Sequence, residues 1–125
     1  MQFTLDKNDK YVVVKLHEQK LNTLIAAELK SELLLINSQG FSNIIVDLSE
    51  SMYCDSSGLS AILVGNRLCK NSNGVFVVTG LSDAVKKLIQ ISQLDQVLNI
   101  KQSNQEAVEF VLASEMEKNI NEDQS

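Results

Sequence analysis

Two short apolar runs, at residues 43–48 and 75–79, constrain the fold of this chain more than any other feature of its sequence. Neither run alternates between apolar and polar residues, as a strand with one solvent-facing side would. Both faces of each predicted strand are therefore apolar, which is typical of central strands in a sheet that helices cover on both sides. The two runs predict an α/β fold.

The segments around these runs alternate between strand and helix patterns. Residues 11–16 predict a β-branched strand, with which residues 3–5 could pair as a hairpin, and residues 96–100 predict a last short strand. Apolar stripes at helical spacing begin at Ile25, Leu59, Val85 and Ala107. The order is β-β-α-β-α-β-α-β-α, a mixed, largely parallel sheet of about four to five strands with helices packed against it.

The length of 125 residues fits one domain. We assign residues 1–114 to that domain. The segment 115–125, EMEKNINEDQS, is mostly polar, and we expect it to be a flexible C-terminal tail. The oligomeric state is left open by the sequence.

The charge and the apolar pattern exclude several classes of partner. Eleven basic and 16 acidic residues give a net charge of −5, which disfavours binding to nucleic acids or anionic membranes. No uninterrupted apolar run approaches the roughly 18 residues of a membrane span, and the first residues lack the pattern of a secretion signal. We therefore expect a cytoplasmic protein in which Cys54 and Cys69 are reduced, small apolar side chains.

Three kinds of enzymatic or ligand site find little support. Neither Ser56 nor Ser57 lies in a G-x-S-x-G motif, and His17, the one possible base, ends a predicted strand. No glycine-rich nucleotide-binding motif is present. The acidic residues Asp47 and Glu50, with Asp55 nearby, lack the spacing of a calcium loop. We expect no enzymatic activity, no cofactor and no metal site.

The segment Asp55-Ser56-Ser57-Gly58 remains as a candidate, because it lies where a helix begins after a buried strand. Functional groups of such sheets gather at the carboxyl ends of the strands. A helix N-terminus accommodates a phosphate well, and phosphorylation of a serine there would add about −1.5 to −2 charges. The added charge would repel an acidic partner, and Gly58 would leave room for a partner backbone. The alternative is an ordinary helix cap.

The run at 44–48, followed by Tyr53-Cys54-Asp55-Ser56-Ser57-Gly58-Leu59, resembles the signature of STAS domains, and more narrowly that of bacterial anti-sigma factor antagonists. Further similarities follow in order at residues 20–23, 27–30, 73–78 and 81–94, so that the resemblance spans residues 3–113. Asn22 stands where many relatives have an acidic residue, and Asp83 stands where they have a proline.

The resemblance implies a mechanism of partner switching. The unphosphorylated antagonist binds an anti-sigma factor that is also a serine kinase of the GHKL type, and thereby releases a sigma factor. The kinase ends this binding by phosphorylating the position of Ser56, and a PP2C-type serine phosphatase reverses the modification. By resemblance, the partner-binding residues are Leu21, Asn22, Thr23, Asp55, Ser57, Gly58 and Leu59. An alternative within the same fold is a scaffold or adaptor subunit, of a stress-signalling assembly or of lipid-transport machinery, without a phospho-switch.

Overall fold

The computed structural model of this protein describes residues 2–124. The strands are β1 (Phe3–Lys7), β2 (Val12–Leu16), β3 (Lys20–Leu21), β4 (Ile44–Asp47), β5 (Tyr53–Cys54), β6 (Phe76–Thr79) and β7 (Asn99–Lys101). The helices are α1 (Thr23–Ser38), α2 (Ser56–Asn71), α3 (Asp83–Ile91) and α4 (Asn104–Gln124), with a 3₁₀ turn at Leu94–Gln96.

A five-stranded sheet forms the centre of the molecule, in the strand order β1-β2-β4-β6-β7. β1 runs antiparallel to β2, as the predicted hairpin requires, and all other neighbouring strands are parallel. The predicted mixed sheet is therefore confirmed. β3 and β5 form a separate parallel pair that the sequence did not predict, since two-residue strands carry no periodic pattern.

Helices cover both faces of the sheet, as the two apolar runs predicted. β4 and β6 are buried at every position. The helices α1, α2 and α3 pack on the face that carries Val46 and Val78. On the other face, Ala107 and Val111 of α4 pack against β4 and β6. The sheet therefore separates the start of α2 from α4.

The C-terminal segment, expected to be a flexible tail, belongs to α4, which continues as a helix from Asn104 to Gln124. Glu115 accepts a hydrogen bond from Asn43 Nδ2 at 2.9 Å, and Lys118 Nζ donates to the Asn73 carbonyl at 3.2 Å. The glutamates, methionine and lysine of this segment favour a helix without needing an apolar face. The expected boundary at residue 114 thus falls inside α4, and the last residue of the expected tail lies outside the described residues.

Although α4 has 21 residues, neither it nor any other helix within residues 2–124 is apolar enough to cross a membrane.

Candidate functional site

Ser56 is the first residue of α2, and its side chain is exposed. Asp55 caps the helix, because its Oδ1 accepts a hydrogen bond from the Gly58 amide at 3.0 Å. The Asp55 carbonyl also accepts a bond from the Leu59 amide at 3.1 Å. The bonds at this helix start fix the backbone beneath Ser56 and do not involve its hydroxyl. Ser56 therefore presents an accessible hydroxyl on a rigid support.

The short pair β3–β5 places the starts of α1 and α2 side by side. The Asp55 amide donates to the Leu21 carbonyl at 3.2 Å, which extends the pairing to the cap of α2. Asn22 caps α1 in the same way, with its Oδ1 accepting from the Ile25 amide at 3.1 Å. Each helix N-terminus carries a partial positive charge. Two such termini, one after each paired strand, are thus brought next to each other.

A groove of about 360 Å³ lies beside Ser56, between the first turns of α1 and α2. Its lining is made of small and polar residues: Thr23, Ala26, Ala27, Lys30, Ser56, Ser57 and Ser60. Thr23 Oγ1 and Ser57 Oγ lie 3.2 Å apart and share a hydrogen bond across the groove. The Lys30 ammonium forms no ion pair among residues 2–124. A phosphate on Ser56 would share this groove with the Lys30 side chain and two helix N-termini.

Three residues expected to contact a partner lie inside the protein instead. Leu21 is 1% exposed, Leu59 is 6% exposed, and Gly58 is buried as well. A Cβ on Gly58 would lie 2.7 Å from the Leu21 carbonyl oxygen and 2.5 Å from Cys54 Sγ. The expectation that Gly58 leaves room for a partner backbone is therefore wrong, since that space belongs to the chain's own β3–β5 pair. The other expected contact residues lie at the surface or are partly exposed: Asn22, Thr23, Asp55 and Ser57.

Replacing Gly58 by Ala is expected to destabilise the fold by about 1–3 kcal/mol, the usual cost of overpacking. The new methyl group would displace the Leu21 carbonyl, which is held by the Asp55 amide. Urea unfolding measures the change. The matched control is Ser60→Ala, which alters an exposed residue of the same helix without adding volume. A Gly58→Ala midpoint at or above that of Ser60→Ala would contradict the close approach.

The surroundings of His17 give no support to serine hydrolysis. Its Nδ1 lies 2.9 Å from Glu50 Oε2, and its Nε2 forms a hydrogen bond with Thr4 Oγ1. Lys15 Nζ lies 3.3 Å from the same Glu50 oxygen. The hydrogen bond from Lys15, helped by that from His17, holds the pKa of Glu50 below its usual value. Both ring nitrogens are thus bonded to partners other than Ser56.

Two further titratable groups near this end of the sheet have structural surroundings. Burial raises the pKa of the Cys54 thiol to about 12, so that it stays protonated and is a poor nucleophile. Burial also acts to raise the pKa of Asp47, but hydrogen bonds from Ser49 and from Asn104 Nδ2 outweigh it and lower that pKa. Thr79 donates to Asn104 Oδ1 at 2.6 Å, which ties both central strands to α4. Within residues 2–124, no three His, Cys, Asp or Glu side chains are grouped to hold a metal ion.

Comparisons with known proteins agree with this architecture. Residues 2–107 match the family model of the STAS domain. A proposed anti-sigma factor antagonist from Thermotoga maritima is 26% identical, with a TM-score of 0.78 over 87% of this chain and 93% of that chain. The phosphorylated form of SpoIIAA from Bacillus is 22% identical, with a TM-score of 0.68 over 87% of this chain and 98% of that chain. A serine-to-glutamate variant of RsbS from Moorella thermoacetica is 23% identical, with a TM-score of 0.75 over 90% and 97% of the two chains. These similarities confirm the predicted fold.

Proposed function

Since this chain belongs to the STAS domain family, we propose that it is an anti-sigma factor antagonist with a phosphorylation switch at Ser56. Unphosphorylated, it binds an anti-sigma factor that is also a serine kinase of the GHKL type, and a sigma factor is released. Phosphorylation of Ser56 ends the binding, and a PP2C-type serine phosphatase restores it. The observation that carries this proposal is the exposed Ser56 hydroxyl at the capped start of α2, which forms no hydrogen bond within residues 2–124.

The chain takes part in the phosphoryl transfer as a substrate. The Ser56 oxygen would attack the γ-phosphorus of ATP, the bond to the bridging oxygen of ADP would break, and the hydroxyl proton would pass to the kinase. The phosphatase would then hydrolyse the ester to serine and inorganic phosphate. The groups that hold ATP and its metal ions belong to the kinase, because this sequence contains no glycine-rich nucleotide loop.

The surroundings of Ser56 favour a switch that changes the surface and not the fold. The first turn of α2 is already held by the Asp55 cap, and the first turns of α1 and α2 lie next to the new phosphate. The phosphate would therefore be accommodated without melting the helix. Its effect would fall on the partner, which must desolvate a dianion or face it with an acidic surface.

Phosphorylation by the kinase is expected at Ser56 and at no other groove residue. The experiment incubates the protein with ATP and a GHKL-type anti-sigma kinase from the same genome, and mass spectrometry of peptides locates the added phosphate. Ser56→Ala should abolish the modification. Ser57→Ala and Ser60→Ala are matched controls because both serines line the same groove, and each should still be modified. A phosphate found on Ser57 or Ser60 in the unaltered protein would refute the assignment.

A further inference from the structure

The exposed side of α4 carries an apolar stripe for which the fold provides no cover. Leu112, Met116 and Ile120 follow one another at intervals of four residues, so they lie on one side of the helix. They are 37%, 65% and 51% exposed, respectively. The opposite side of α4 is occupied, because Ala107 and Val111 pack against the sheet. The stripe is thus separate from the contacts that hold α4 in place.

Carboxylates of α4 border the stripe, and the cation of Lys101 lies elsewhere on this helix, 4.8 Å from the centroid of the Phe110 ring. Glu106, Glu109 and Glu117 are exposed on the outer side of α4 and form no ion pairs within residues 2–124. Lys118, by contrast, turns towards the body of the protein and donates to the Asn73 carbonyl. The outer side of α4 therefore presents apolar side chains bordered by carboxylates.

We propose that the Leu112–Met116–Ile120 stripe is a docking surface for a basic amphipathic helix of a partner protein. An apolar side of such a helix would cover the stripe, and its lysines or arginines would face the bordering glutamates. A second copy of this chain is disfavoured, since two α4 helices would bring acidic borders together in a protein of net charge −5. An anionic membrane is disfavoured for the same reason.

This surface would operate independently of Ser56. α4 lies on one face of the sheet, whereas α1 and α2, which carry the Ser56 groove, lie on the other. The family model matches residues 2–107, so the three residues of the stripe also lie outside the matched range. One partner at α4 and another at Ser56 could therefore bind at the same time.

The test uses two synthetic helical peptides of about 18 residues, a length that supports helix formation. Both have leucines at helical spacing, and they differ only in having lysines or glutamates beside the leucines. Fluorescence anisotropy measures the binding of each peptide to the full chain. We expect the lysine peptide to bind at least about tenfold more tightly than the glutamate peptide, with the difference shrinking at high salt.

The double variant Met116→Gln/Ile120→Gln should weaken binding of the lysine peptide about tenfold, because two apolar contacts are lost. Gln favours a helix nearly as well as Met, so the fold should persist. Leu35→Gln is the matched control: Leu35 is 52% exposed on α1, and its loss should change the affinity less than about twofold. Glu117→Lys should reduce the difference in affinity between the lysine peptide and the glutamate peptide, although it removes no apolar residue.

Several outcomes would overturn the proposal. Equal binding of the two peptides would mean that the bordering charges do not contribute to recognition. An equal loss of affinity with Leu35→Gln would mean that the peptide binds exposed apolar side chains without specificity. A dimer in light scattering that the double variant dissociates would assign the stripe to a second copy. Binding to vesicles of phosphatidylglycerol in preference to the lysine peptide would assign it to a membrane. Persistence of peptide binding in Ser56→Asp would support an independent surface, and its loss there would contradict it.

Discussion

Ser56→Asp is expected to lower the affinity for the anti-sigma kinase at least about a hundredfold, while Ser56→Ala binds as tightly as the unaltered protein. Switching a partner from nearly all bound to nearly all free takes a change of about 10⁴-fold, which a phosphate dianion would have to supply. An aspartate adds one charge where the phosphate adds about −1.5 to −2, so a smaller effect is expected. Isothermal titration calorimetry with the purified kinase measures the three affinities.

The matched control for this charge is Ser103→Asp. Ser103 also lies at a helix start, where its hydroxyl accepts a hydrogen bond from the Glu106 amide at 3.2 Å, and aspartate can take over that cap. It belongs to the α4 side of the sheet, so the same charge there should leave kinase binding unchanged. An equal loss with Ser103→Asp would trace the effect to net charge. Unchanged binding by Ser56→Asp, together with stable self-assembly in light scattering, would favour the scaffold alternative.

The start of α2 could be predicted from the sequence because its determinants are local. An aspartate followed three residues later by a glycine amide forms the cap by itself, and the preceding buried strand fixes which end of the sheet it occupies. The neighbourhood of Ser56 could not be predicted in the same way. Lys30 lines the groove because α1 packs beside α2 and the pairing of β3 with β5 brings the starts of the two helices together. Such a pairing depends on tertiary contacts between residues more than 30 positions apart.

The buried residues of the site illustrate the same limit. The sequence identifies Gly58 as a position without a side chain, but it does not say which neighbour uses the space. The structure assigns that space to the Leu21 carbonyl and Cys54, which makes Gly58 part of the support beneath Ser56. The α4 extension was missed for a different reason. Its apolar residues Leu112, Met116 and Ile120 lie on the solvent side of the helix. There the spacing of apolar residues does not indicate which side of a helix packs against the core.

Gly65 is a position in α2 at which a neighbouring side chain approaches the helix closely. A Cβ on Gly65 would lie 2.4 Å from Cε1 of Phe76, whose side chain is 1% exposed. The Phe76 ring therefore occupies the space above Gly65 and fixes how closely α2 approaches β6. Since Ser56 is carried by the same helix, this contact also contributes to the position of Ser56 relative to the sheet.

Phe76→Ala is expected to destabilise the protein by about 3–5 kcal/mol, and it should reverse the effect of Gly65→Ala. In the unaltered protein, Gly65→Ala overpacks the ring and should cost about 1–3 kcal/mol, less the gain of roughly 1 kcal/mol from helix propensity. In the Phe76→Ala background the ring is absent, so an alanine at position 65 meets no steric conflict. It keeps the gain in helix propensity and fills part of the cavity, so Gly65→Ala should stabilise the protein by about 1 kcal/mol. Urea unfolding of the four proteins gives the coupling energy.

The control for this reversal is Gly58→Ala, the same substitution on the same helix. Its Cβ would meet the Leu21 carbonyl oxygen and not the Phe76 ring. It should therefore destabilise the protein by a similar amount with or without the Phe76→Ala change. If Gly65→Ala stays destabilising in the Phe76→Ala background, the ring is not what excludes a side chain at position 65. If the effect of Gly58→Ala on stability also changes sign, the loss of the Phe76 ring has loosened α2 as a whole. The contact between Gly65 and Phe76 would then not be what determines the position of Ser56 relative to the sheet.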